Sequence, residues 1–64
     1  MSAPEFTLEV VLAEEDAVAL AQLCKRISFE TCRSMAVDGR EAYAMIDATN
    51  RVRKALADAG VVVR

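Results

Sequence analysis

Residues 38–60, DGREAYAMIDATNRVRKALADAG, hold a helix start, an apolar stripe and a helix stop in one run. Asp38 suits the N-cap, where a carboxylate accepts the orphan N–H groups of the first turn. Glu41, three residues on, can reach back to the N–H of the cap residue as a variant capping box, with Val37 and Ala42 at the staple positions. Ala42, Met45, Ile46, Thr49, Val52, Leu56 and Ala59 recur at spacings of three and four, which places them on one helical face. Asp47, Asn50, Arg51, Lys54 and Asp58 fall mostly on the other side. Gly60 fits the position just past the helix, where a left-handed residue closes the last turn without steric cost. A helix over about 39–59 is the expectation. Ala44, Ala48 and Ala55 form a second stripe of small residues, open to close approach by another backbone or explained by helix propensity alone.

Working back from this helix, Phe29, Cys32 and Met35 are spaced as the inward residues of a short helix over about 29–36, with Ser28 as its cap. Ala17, Leu20, Ala21, Leu23, Cys24 and Ile27 predict a helix over about 14–27. Its first turn holds Glu14, Glu15 and Asp16, and Lys25 and Arg26 lie near its end; both charge placements suit the helix dipole. Earlier still, Phe6, Leu8, Val10 and Leu12 alternate with Thr7, Glu9 and Val11. That period of two predicts a strand over about 5–12 with its first set facing the core. Met1 to Pro4 is a loose lead-in. After Gly60, three β-branched residues, Val61 to Val63, predict a short strand; a flexible tail is the alternative.

These elements combine into a single domain over residues 1–64 of class α+β. The order is β-α-α-α-β, with the two terminal strands pairing antiparallel under a helical layer. A two-stranded sheet needs that cover. Its open edges would offer a place for a second copy or a partner strand.

Sixty-four residues bury only about 60% of the unfolded surface. Apolar residues make up 55% of the chain, but 12 are alanine and there is no Trp, so the core is expected to be thin and open to completion by a second copy. The chain holds no apolar run near the roughly 20 residues that span a bilayer. The N-terminus lacks the basic and long apolar regions of a signal peptide, so the expected location is cytoplasmic. Net charge is −2, unevenly laid out: residues 1–24 carry five acids and no base, and residues 25–64 carry eight bases and five acids. This pattern disfavours a uniformly basic nucleic-acid binder.

Chemistry is scarce. The chain has no His, which removes Ser-His-Asp and Cys-His catalysis. Cys24 and Cys32 are eight apart, roughly 12 Å along a continuous helix, too far for a disulfide. They read as small buried hydrophobes. No metal-ligand spacing and no phosphate loop occur, so neither a cofactor nor a metal is expected and the chain is read as non-enzymatic. Tyr43 is expected to pack at the edge of the long helix's buried stripe. Arg51, Arg53, Lys54 and Arg64 could touch phosphate, but the helix dipole also accounts for bases near a helix end, and no aromatic residues interleave with them. The candidate partner-binding residues are the acids Glu5, Glu9, Glu14, Glu15 and Asp16. Carboxylates in a row can stand in for phosphates; the helix dipole already accounts for the last three, and the partner-facing reading is compatible with it.

The run EEDAVALAQLCKRISFETCRSMAVDGREAYAMIDA, with its flanks FTLEVVL and VRKALADAG, resembles very short proteins of proteobacterial mobile elements. It is also similar to small phage anti-CRISPR proteins directed against type I surveillance complexes, type I-C among them. The resemblance spans nearly the whole chain and includes no functional motif. It implies a stoichiometric inhibitor, without enzymatic activity, that binds a Cas subunit and blocks target-DNA recognition. The acidic edge would then replace DNA phosphates at a basic surface, with no direct nucleic-acid or membrane contact. The alternative is a small dimeric regulatory module of a mobile element, partner to a toxin or a transcription factor. Monomer and homodimer are both compatible with the sequence.

Overall fold

The computed structural model describes residues 4–63. Residues 1–3 of the lead-in and Arg64 lie outside the described residues. Three helices follow one another: α1 over Glu14–Arg26, α2 over Phe29–Met35 and α3 over Gly39–Asp58. The α+β expectation is overturned. Among the described residues there is no strand and no sheet, so the fold is a small all-α domain.

Helix α1 begins without a side-chain cap, because Ala13 at its N-cap has nothing to offer. The acids of its first turn compensate the exposed N–H groups electrostatically instead. Its end is set by Ile27, whose extended backbone (φ −67°, ψ 134°) leaves the helix while its N–H still reaches the Leu23 carbonyl at 3.0 Å. Ser28 then starts α2, its hydroxyl accepting the Thr31 N–H at 3.2 Å.

At α3 the Asp38 carboxylate accepts the Glu41 N–H at 2.8 Å. Glu41 reaches back one residue further than expected and accepts the N–H of Val37 at 3.1 Å rather than that of Asp38. Val37 itself is exposed, so no hydrophobic staple forms. Thr49 sits in the apolar stripe because its hydroxyl is satisfied internally, donating to the Met45 carbonyl at 2.9 Å. The stop at Gly60 is a Schellman motif. Gly60 adopts φ 94°. Its N–H reaches the Ala57 carbonyl at 3.0 Å, and the Val61 N–H reaches the Leu56 carbonyl at 2.9 Å.

Helix α3 packs on both α1 and α2, which make no contact with each other. The result is a flat body of 34 × 29 × 15 Å. Only Ala21 and Cys24 of α1, Cys32 of α2 and Ala42 of α3 are buried among the described residues. Leu20, Ile27, Met45, Ile46 and Leu56 are half-buried around them. Ala44, Ala48 and Ala55 are exposed, so the small-residue stripe meets no other helix of the chain.

The missing strands have a physical cause. A strand exists only when a neighbour takes its N–H and C=O groups. Val61 has already committed its N–H to the helix stop, leaving too little of the C-terminus to form a ladder. Residues 5–12 make no backbone hydrogen bond within the described chain. Phe6, Leu8 and Val10, expected to face a core, are 87%, 83% and 68% exposed.

Candidate functional site

Glu5 and Glu9 lie in the segment before α1, and Glu14, Glu15 and Asp16 form the first turn of α1. All five are exposed, and none has a hydrogen-bond or ion-pair partner among the described residues. The helix brings Glu14, Glu15 and Asp16 onto one turn but not onto one face. At 3.6 residues per turn, successive side chains step by about 100° around the axis, so Glu14 and Asp16 point about 160° apart. The three acids make a negative helix tip rather than a flat row of charges.

The basic residues are similarly dispersed. Arg51, Arg53 and Lys54 are exposed on α3, but none falls in its last turn, so the dipole account of their position does not hold. Lys54 pairs instead with Asp58 at 3.1 Å across one turn. Asp58 is an acid at the unfavourable, negative end of the helix, and Lys54 offsets it.

Cys24 and Cys32 are buried free thiols, held on separate helices by the break at Ile27 and Ser28. Tyr43 stacks against Phe29 with ring centroids 4.7 Å apart and planes tilted by 38°, which pins the start of α2 to α3. A shallow groove of about 180 Å³ opens between α1 and α3, lined by Ala21, Arg53, Ala57, Val61, Val62 and Val63. It is smaller than the roughly 300 Å³ at which small-molecule sites begin. Val61 and Val63 are half-buried along it, while Val62 is exposed.

Sequence reasoning paired residues 5–12 within the chain and so missed that the whole segment is uncovered. The described segment from Pro4 to Ala13 presents Phe6, Leu8, Val10 and Val11 to solvent, and the backbone of residues 5–12 has no partner among the described residues. Two signals pointed to it beforehand: the shortage of large core side chains and the unequal lengths of the two expected strands.

A small helical domain with an uncovered apolar N-terminal run is the class of protein that this fold and surface define. The chain belongs to a family of unknown function, DUF7706, which matches residues 1–64. Comparisons with curated proteins and with solved structures return no match. No helix of the described residues is long and apolar enough to cross a membrane.

Proposed function

We propose that the chain is a non-enzymatic interaction module that works by engaging another polypeptide through residues 5–12. The observation behind this reading is the segment itself. It combines solvent-exposed Phe6, Leu8 and Val10 with a run of backbone donors and acceptors that nothing among the described residues satisfies. A strand from another polypeptide would take both at once: main-chain hydrogen bonds give affinity, and the alternate side chains give specificity. Proteolysis after Glu9 tests the reading. The segment should be cut rapidly when free and protected when occupied, with cross-links mapping to residues 4–13. A segment that stays open to cleavage in every condition, in a chain that captures no polypeptide, would overturn it.

A second reading follows from the resemblance and from five exposed carboxylates that lack partners among the described residues. Here the chain is a cytoplasmic inhibitor that binds a Cas subunit of a type I CRISPR surveillance complex and occupies its target-DNA surface. Reversing Glu14, Glu15 and Asp16 together to lysine should abolish inhibition of DNA capture by the purified complex while circular dichroism still shows a helical chain. Undiminished inhibition by that variant would remove the acidic tip from the mechanism.

A further inference from the structure

We propose that the occupant of residues 5–12 is a second copy of this chain, paired antiparallel about a two-fold axis at Leu8. The inference rests on the interaction-module reading and names its partner.

Surface area carries the first part. A compact chain of 7.0 kDa exposes about 4,000 Å², whereas this one exposes 5646 Å². Its radius of gyration is 13.0 Å, against about 11 Å for a compact domain of its length. Two copies merged into one compact body would expose about 6,700 Å², so pairing can bury at most about 4,600 Å² in total. That limit leaves room for the roughly 2,000–5,000 Å² typical of obligate homodimers. A bare two-stranded ribbon is marginal alone, so its apolar face needs a floor. Leu23, Met35, Tyr43 and Val52 leave uncovered apolar surface on all three helices, and a dimer doubles it.

The pattern of the segment carries the second part. Directly opposed residues of an antiparallel pair point to the same face. Only registers that oppose residues of like parity put apolar side chains together. A two-fold axis at Glu9 would set Glu9 against Glu9, a like-charge pair at the centre of the ribbon. An axis at Val10 would oppose Phe6 to Glu14, which is already the first residue of α1. An axis at Leu8 opposes Leu8 to Leu8, Phe6 to Val10, Thr7 to Glu9 and Glu5 to Val11. It makes one apolar face, opposes no acid directly to another acid, and ends before the helix. Ala13, with φ −62° and ψ 153°, is already in the β region, so a strand can run up to α1 without a kink.

The purified chain and single cysteine substitutions at residues 8, 9 and 10 test this. Sedimentation should show a particle of twice 7.0 kDa that dissociates on dilution. Under mild oxidation the Leu8→Cys variant should cross-link to itself at least about tenfold faster than Glu9→Cys or Val10→Cys, since only position 8 faces its own copy. The wild-type chain, with Cys24 and Cys32 buried, serves as the background. A 7.0 kDa particle at every concentration overturns the proposal. So does a dimer in which Leu8→Cys is not the fastest to cross-link. Cleavage after Glu9 separates this failure from that of the underlying reading: a monomer whose segment is protected only by host lysate sinks the second copy and leaves the module, whereas protection by neither sinks both.

Discussion

Helix α3 and the segment before α1 are both rich in apolar residues, yet one is a finished element and the other is not. In α3, backbone groups bond within the helix, Asp38 and Glu41 take donors at its start, and Gly60 and Val61 take carbonyls at its end. The segment over residues 5–12 has no internal way to do the same, because a strand borrows its hydrogen bonds from a neighbour. A helix can therefore be completed by local residues, while a strand waits for a partner. The contrast explains how one short chain holds a well-capped 20-residue helix and an uncovered apolar run side by side.

The strongest test of this contrast is Leu8→Glu. It places two carboxylates face to face at the proposed axis and removes two leucines from the apolar face, each worth about 1.5–3 kcal/mol. Self-association measured by sedimentation equilibrium should weaken by at least ~100-fold, which is about 2.7 kcal/mol. Helical circular dichroism at low temperature should persist; loss of helix together with the dimer would show the two regions to be one cooperative unit. Next comes Ala42→Leu, at a position of α3 with no exposed surface. Overpacking there should cost about 1–3 kcal/mol and lower Tm by roughly 5–20 °C, with the helices losing stability first.

Smaller effects belong to the ends of α3. Asp38→Ala removes the carboxylate that accepts the Glu41 N–H and should cost about 1 kcal/mol. Gly60→Ala meets no neighbouring atom, so its cost, also about 1 kcal/mol, is that of a Cβ at φ 94° alone. Thermal melts of the two variants should agree within error. The least effect is expected from Lys54→Ala, which breaks an exposed pair and should shift stability by under about 0.5 kcal/mol, an amount that high salt erases.

Much of the helical part was legible beforehand because its signals are local. Asp38, Glu41 and Gly60 mark α3 by residue type alone, and Ser28 marks α2. Cys32 and Ala42 were legible as inward residues from spacing. Phe29 faces α3 through its stack on Tyr43 without being buried, and Met35 stays exposed, since the short α2 covers too little of α3. The acids were legible as a charge bias; that Glu14, Glu15 and Asp16 wrap around a helix tip required the observed position of α1.

The strands failed for a different reason. Alternation of Phe6, Leu8, Val10 and Leu12 states a preference for a pleated, half-buried surface. It does not say which chain supplies the other half, and Val61, tied to Leu56, cannot. The sequence by itself determined the helices, their caps and the uneven charge, because each depends on neighbours within a few residues. Only the tertiary structure decided that, among the described residues, the core holds four small side chains and residues 5–12 stand without a partner, because burial and strand pairing depend on what the rest of the chain brings alongside.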